Sequence, residues 1–292
     1  MHSGNISIIG KPNVGKSTLF NCLIGKHLAA STHKPQTTRH KIDGILYENK
    51  TKYIFLDTPG INFNIRKNFN RILNKNALSA MFESDVILHI INYNELDDED
   101  NKVIENIRSV DSPKILVLNK IDLDKNKNNL PKILSNIPKE ISSLYDEIIP
   151  ISSKNSKNIE ILKKIIKNYL PQIKEKTQEK FFSNKPSEFF VAEYIREACI
   201  KFLSSEIPYS LHVEVNKFDD EDSLTSIAAT IYLKKNSHLK IVVGKNGAML
   251  VKISKYARIN IEKLLDKKVY LKIFVKHDPR WKDSENFLNS YN

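Results

Sequence analysis

Up to Leu170 the sequence alternates short apolar runs with helix-length amphipathic segments, and that rhythm limits the available folds more than any other feature. The runs Ile6 to Gly10, Tyr53 to Gly60, Asp85 to Ile91, Lys114 to Asp122 and Glu147 to Ser152 are rich in aliphatic residues and short, which marks them as buried strands. Between them lie segments of helical length such as Lys16 to Ile24 and Asp100 to Ser109. Strands of this kind separated by helices build a parallel sheet wrapped by helices, and such α/β sheets take their ligands at the carboxyl ends of the strands. Reactive residues are therefore to be sought just after each run.

The first run leads into Gly10-Lys11-Pro12-Asn13-Val14-Gly15-Lys16-Ser17-Thr18, a Gly-x4-Gly-Lys-Ser loop placed between a strand and a helix. In that setting the glycines let backbone N–H groups turn onto phosphates, the lysine reaches the β and γ phosphates, and the serine hydroxyl ligates Mg2+. A purely structural turn leaves the strand before it and the helix after it unexplained. Asp57-Thr58-Pro59-Gly60 ends another strand and brings a carboxylate toward the metal and the Gly60 amide toward the γ phosphate, although alone it reads equally well as a Pro-Gly turn. Asn119-Lys120-Ile121-Asp122 closes a further strand. A carboxylate at Asp122 accepts from the N1–H and exocyclic amine of guanine. Adenine presents an acceptor at N1 and leaves that carboxylate unsatisfied, a mismatch worth several powers of ten in selectivity. Ile151-Ser152-Ser153-Lys154 stands where a last loop, with Ser152 in it, touches the guanine carbonyl through backbone N–H groups. At successive strand ends these clusters point jointly to GTP or GDP with Mg2+.

A chain of 292 residues exceeds the usual size of one core. The pattern changes after Leu170, where the polar, charged stretch 171–185 reads as a linker between a first domain at 1–170 and a smaller α+β domain at 186–292. In the second part Phe189, Ala192, Ile195, Cys199, Phe202 and Leu203 fall at helical spacing. Two runs of period 2 follow, one over Leu211, Val213 and Val215 and one from about Ser226 to Leu233. A helix stripe over Leu250, Ile253, Ala257, Ile261 and Leu264 and a strand over Val269, Leu271, Ile273 and Val275 close the chain. All of these apolar positions read as core. Between residues 234 and 282 stand fourteen Lys or Arg and three acids, with Lys252, Lys255 and Arg258 off the apolar stripe. Such a charged face is often only solvated. Here it borders Gly244-Lys245-Asn246-Gly247, whose glycines let a nucleic-acid strand approach the backbone at a helix start.

The segments "GKPNVGKST", "QTTRH" (36–40), "DTPGI", "NKID" and "ISS" resemble the five boxes of a translation-factor-class GTPase, and "NRILNKNALSA" (70–80) with "EIPYS" (206–210) resembles the Era family. The element order around "GKNG" resembles a KH domain of the second topological type, in which a GxxG loop clamps about four single-stranded nucleotides. The likeness spans essentially the whole chain. It implies a P-loop GTPase domain in which Thr38, or alternatively Thr37, closes over Mg2+ as switch I, and in which switch II begins at Ile61. It also implies binding near the 3′ end of 16S rRNA and a part in maturation of the 30S subunit, with Lys245 and Asn246 touching phosphates. Ile61 occupies the place where many small GTPases carry a water-orienting glutamine, so slow intrinsic hydrolysis is expected. Catalytic help then falls to Lys16, Thr38, Gly60 and Asn13, the last resembling a K+ ligand of cation-activated relatives or else only shaping its loop. Ser153 stands where relatives usually carry alanine and is expected to alter the guanine contact slightly.

The formal charge of +12 favours a polyanionic partner, either nucleic acid or an anionic membrane surface. The second possibility leaves a membrane-associated signalling GTPase as the alternative reading, with weak peripheral attachment to the inner face of the cell membrane. The first residues show no signal peptide and no segment reaches the roughly 18 apolar residues of a membrane span, so a cytoplasmic monomer is expected. Two cysteines, Cys22 and Cys199, in apolar helical patterns read as core.

Overall fold

The computed structural model describes the chain except residues 33, 35–36, 61–77, 95, 125–128, 175–181, 205 and 282–292. Ile61, most of the 70–80 run and Gln36 thus lie outside the described residues. The chain divides into two compact units, Met1–Ala29 with Thr38–Asn184, and Ala30–Thr37 with Lys185–Asn292.

The first unit is a six-stranded sheet in the order β2-β3-β1-β4-β5-β6. Its strands are β1 (His2–Ile9), β2 (Ile42–Glu48), β3 (Thr51–Asp57), β4 (Val86–Asn92), β5 (Lys114–Asn119) and β6 (Glu147–Pro150). All pair in parallel except β2, which runs antiparallel to β3. The five expected strands are all present. β2 was not legible, because Ile-Asp-Gly-Ile-Leu-Tyr-Glu shows neither strict alternation nor an unbroken apolar run, as befits an edge strand with a mixed burial pattern. Register aligns the carboxyl ends of the strands, with Ile8 opposite Asp57 and Asn92 opposite Asn119, so the loops that follow stand side by side. Ile6, Ile8, Val86, Leu88, Ile115 and Val117 are fully buried, as expected for strands covered on both faces.

Helix Asp98–Arg108 starts in a reciprocal capping box, in which Asp97 accepts from the amides of Glu99 and Asp100 and the Asp100 carboxylate accepts from the Asp97 amide. Part of the stretch expected as linker belongs to this unit. Ser3 donates its amide to Pro171 and Ile173 donates to Met1, while farther on Ile45 donates to Phe182 and the Asn184 amide to Asp43.

His89 on β4 is fully buried with Nδ1 2.6 Å from Tyr145 Oη, and its Nε2 has no partner among the described residues. Burial first, then the nearby Lys16 and Lys11, push the imidazole down to about 3. A pKa lowered on folding means that below about 6.5 the unfolded chain binds the proton and the folded chain does not, so this contribution is present above pH 6.5 and is lost as pH falls toward 3. Urea titration at pH 7 and pH 4.5 is expected to show about 2 kcal/mol less acid loss in His89→Phe than in the parent; equal losses in the two proteins would contradict it.

The second unit follows the expected order of helix, two strands, two helices around a loop, and a strand. Helix Ser187–Phe202 precedes β7 (Leu211–Asp220) and β8 (Leu224–Leu233); helices Ser237–Val243 and Ala248–Leu265 flank the glycine loop, and β9 (Lys268–His277) pairs parallel to β8. Helix Ser187–Phe202 is buried nearly all round, from Phe190 and Val191 to Cys199 and Ile200, and includes a buried Arg196–Glu193 ion pair. Phe189, placed in the core by its spacing, is only half-buried. Cys199 is core as expected, and burial pushes its thiol up to about 12. Cys22 departs from that expectation: it is half-buried, with Sγ 3.3 Å from Ser156 Oγ.

Candidate nucleotide and nucleic-acid sites

The loop after β1 is shaped by its backbone. Gly10 has φ 150°, and a Cβ there would stand 2.4 Å from the Ile90 carbonyl oxygen, so no other residue fits without moving β4. Asn13 takes the left-handed conformation at φ 65°, which asparagine tolerates better than most residues. Helix Lys16–Ile24 begins at Gly15 without a side-chain cap, and Lys16, Ser17 and Thr18 form its first turn. Its first amides are thereby left to a ligand at the positive end of the helix.

Lys16 is buried, and its Nζ donates 2.8 Å to the carbonyl of Lys11. Burial pushes the ammonium down to about 8, against the opposing pull of Asp57. Gly60 and Pro12 border it, since a Cβ on Gly60 would lie 3.1 Å from both Lys16 Nζ and Pro12. Thr58 is tied to β1 through the Ile8 carbonyl, 2.9 Å away, and Pro59 follows it beside Gly60. The Lys11 side chain turns away from the loop, with its ammonium 2.5 Å from Asp97 and 2.9 Å from Asp100. Only its backbone remains free to meet a phosphate. Val14 is buried, and Asn13 is exposed.

Ser17, Thr38 and Asp57 converge. Ser17 Oγ lies 2.9 Å from Thr38 Oγ1 and donates 2.8 Å to Asp57 Oδ2, which Thr38 also approaches at 3.3 Å. Thr37 instead bonds Thr32 and the Lys34 carbonyl. Asp57 is fully buried, and its Oδ1 has no hydrogen-bond partner among the described residues. Burial pushes the carboxyl up to about 6, against the hydrogen bond from Ser17 and the charge of Lys16. Two hydroxyls and one spare, buried carboxylate oxygen make a hard oxygen set suited to Mg2+.

At the other end of the cleft Asp122 sits in a short 3-10 turn, and its Oδ1 accepts 2.6 Å from Ser152 Oγ. Ile121 donates its amide to Ile151, which ties the two base-side loops. Lys120, left-handed at φ 67°, donates 2.6 Å to the Asn13 carbonyl. Asn119 lies behind the site: Nδ2 donates 2.8 Å to Val14, and Oδ1 accepts from both the amide (3.0 Å) and hydroxyl (2.9 Å) of Ser153. Ser153 therefore acts through Asn119, and its hydroxyl is engaged there.

In the second unit Gly244 and Gly247 have positive φ, and Asn246 at φ 51° continues the bend before helix Ala248–Leu265. A Cβ on Gly244 would stand 2.7 Å from Met249 Cβ, whereas one on Gly247 would meet nothing within 4 Å. Lys245, Asn246, Lys252, Lys255 and Arg258 are all exposed. The Lys252 ammonium lies 4.5 Å from the Phe202 ring centre.

Asp97, Asp100 and Ser153 shape the site, and the sequence reading assigned no role to the two aspartates. The acidic run Asp97-Asp98-Glu99-Asp100 carried the helix-start signal, but nothing in one sequence shows that a loop lysine 86 positions away would bind it.

Residues 5–120 match the family described as 50S ribosome-binding GTPase, and residues 206–282 match the KH domain family. The chain is 37% identical over 285 residues to GTPase Era of Neisseria meningitidis serogroup A, covering 98% of this chain and 92% of that one. It is 34% identical over 292 residues to GTPase Era of Vibrio cholerae, covering 99% and 89%. The crystal structure of Era in complex with MgGDPNP and nucleotides 1506–1542 of 16S ribosomal RNA matches with a TM-score of 0.92 at 32% identity, over 100% of this chain and 99% of that one. A variant of Aquifex aeolicus Era bound to GDP and AlF4− matches with the same TM-score, identity and coverage.

Proposed function

The chain belongs to the Era family of GTPases, and from that premise we propose that it hydrolyses GTP to GDP and phosphate as a ribosome assembly factor. Its KH domain binds 16S rRNA near the 3′ end during 30S maturation. The observation that carries the reading is the likeness along the full chain to Era solved with both MgGDPNP and a 16S fragment, matched here by two separate sites of the right chemistry.

In this reading Ser17, Thr38 and Asp57 hold Mg2+, which supplies charge neutralisation between the β and γ phosphates. Lys16 leaves the Lys11 carbonyl for the phosphate oxygens, and the Gly60 amide meets the γ phosphate. Asp122, steadied by Ser152, selects guanine. Asn13 keeps its two readings. Its left-handed backbone supports the loop-shaping role, and faster GTP turnover in KCl than in NaCl at matched ionic strength is the expected sign of a K+ ligand.

On the RNA side Gly247→Asp tests the assignment. A Cβ there meets nothing within 4 Å, and the left-handed φ of 79°, which aspartate tolerates better than most residues, is expected to cost about 1 kcal/mol of stability, so the variant is expected to fold and to bind GTP as the parent does. It places a carboxylate where phosphates approach, and affinity for a 16S 3′-terminal RNA, read by fluorescence anisotropy, is expected to fall at least about tenfold. Unchanged RNA affinity would refute the clamp. Vesicle binding that survives this substitution while RNA binding is absent would instead favour an anionic lipid partner. Among the described residues no helix is long and apolar enough to cross a membrane.

A further inference from the structure

Strand β9 reads Lys-Val-Tyr-Leu-Lys-Ile-Phe-Val-Lys-His, and its burial alternates strictly at first, with Val269 buried and Leu271, Ile273 and Val275 half-buried. The opposite face carries Lys268, Tyr270, Lys272, Phe274 and Lys276, all exposed, with Tyr270 at 59% and Phe274 at 42%. β9 is an edge strand of the three-stranded sheet. Neither the glycine loop nor the helix after it includes any of these residues.

We propose that this open face of β9 is a second RNA surface, on which Tyr270 and Phe274 stack single-stranded bases while Lys272 and Lys276 meet the phosphates. The inference rests on the RNA-binding reading above and extends it beyond the four-nucleotide clamp. A strand kept soluble only by charge has no use for two exposed rings at regular spacing, since each exposes apolar area that burial would stabilise. The rings stand four residues apart, about 13 Å at the usual rise, on a backbone that the sheet holds rigid. Their cross-strand neighbours on β8 are small: Ser226 pairs with Tyr270 and Thr230 with Phe274, with Ala228 beside Lys272. The larger Leu224 and Tyr232 of that strand stand opposite Lys268 and Lys276, at the ends of the row, so the space directly beside each ring is bounded by small side chains and a base can lie against it.

Charge favours a polyanion. No acid lies on β9 before Asp278, and the Lys272 ammonium sits 5.0 Å from the Phe274 ring centre, near enough for a phosphate and a stacked base to be engaged together. Glu262, from helix Ala248–Leu265, is spent on the Val269 amide at 3.2 Å, and the acids on β7 in register with the rings, Glu214 and Asp219, are two strands and thus about 10 Å away, with Asp219 paired with Lys217. Aromatic rings interleaved with cations on an open sheet are a recurrent way of holding single-stranded nucleic acid without strict sequence demand. An anionic membrane would satisfy the lysines equally well, but it gains little from two rings fixed 13 Å apart in line, and it is left as an outcome of the test.

The test uses the full chain, anisotropy and two labelled RNAs, a ~5-nucleotide strand that fills only the clamp and a ~16-nucleotide strand that can continue beyond it. Tyr270→Ala with Phe274→Ala is expected to weaken the long strand about tenfold or more and leave the short one unchanged. Tyr270→Phe with Phe274→Tyr, which keeps both rings, is expected to restore binding. Lys272→Ala is expected to lower the salt slope for the long strand by about 0.7. Long-strand affinity within twofold of the parent in the double alanine variant would overturn the proposal. So would an equal loss with the short strand, or a loss confined to phosphatidylglycerol vesicles. Gly247→Asp weakens both strands if the clamp reading holds; if it weakens neither, the clamp assignment fails while the Tyr270 and Phe274 arm still decides this one.

Discussion

Asp122→Asn is expected to exchange a preference for guanine for one for xanthine. In the proposed reading the carboxylate accepts two hydrogen bonds from guanine, at N1–H and at the exocyclic amine. An amide in its place offers one acceptor and one donor, so it opposes the guanine amine with an N–H and leaves both groups unsatisfied. One charge-assisted bond, worth about 1.5–3 kcal/mol, is lost to a donor–donor mismatch that adds about 1–3 kcal/mol, and the other becomes a neutral bond, which predicts a fall in GDP affinity of roughly two to four powers of ten. Xanthine, with N1–H and a carbonyl at C2, fits the amide. Ser152 Oγ holds Asp122 Oδ1 at 2.6 Å, so the orientation of the replacement is also constrained. Calorimetry with GDP and xanthosine diphosphate checks it. A variant that still prefers GDP would show that Asp122 does not read the base. Ser152→Ala serves as the contrasting case, weakening both nucleotides by less than about tenfold with no change of preference.

The second large effect lies behind the phosphate loop. Lys11 is 7% exposed and Asp100 fully buried, and their charges meet at 2.9 Å with Asp97 completing the group. Burial raises the Asp100 carboxyl while Lys11 holds it charged; for Lys11, burial is outweighed by the two aspartates, and its pKa is raised. Removing one member of such a pair strands the other. Asp100→Leu is therefore expected to cost about 3 kcal/mol in urea unfolding, including its share of the capping box, with the partly exposed Asp97 left as the acidic partner of Lys11 among the described residues. Lys11→Met with Asp100→Leu replaces both charges by apolar groups and is expected to recover most of that loss. Because the Lys11 carbonyl also receives Lys16 Nζ, the single variant is expected to release GDP about tenfold faster. If the double variant is as unstable as the single, the ion pair is not what holds this corner.

These two predictions differ in how far a single sequence could anticipate them. The placement of Asp122, Lys16 and Ser17 was legible because it follows from local order, with a loop between a strand and a helix and a carboxylate just after a strand end. The strands were legible because burial on both faces leaves an unbroken aliphatic run. Lys11 was assigned by its position in the loop, and the backbone does lie there, but its side chain obeys a helix start far along the chain. The choice between Thr37 and Thr38 was likewise open in the sequence, because neighbours in an irregular segment differ only in direction. In the structure Thr38 stands beside Ser17 and Asp57. Strand β2 escaped because Asp43 and Gly44 interrupt its apolar run, whereas β6 at the other edge keeps an aliphatic run through Ile148 and Ile149. On β9 Val269 is core as read while Leu271, Ile273 and Val275 are half-buried, and of the other face the sequence reading took in only the lysines, as part of the charge excess between residues 234 and 282.

Asn119 spans the floor of the cleft, joined to Val14 on one side and to Ser153 on the other. In the proposed reading the loops that receive a purine and a triphosphate are thus joined through one side chain. Guanosine diphosphate should leave in a single kinetic phase, and loosening the brace with Ser153→Ala, which removes the hydroxyl bond to Asn119 and keeps the amide one, should shorten its residence time modestly.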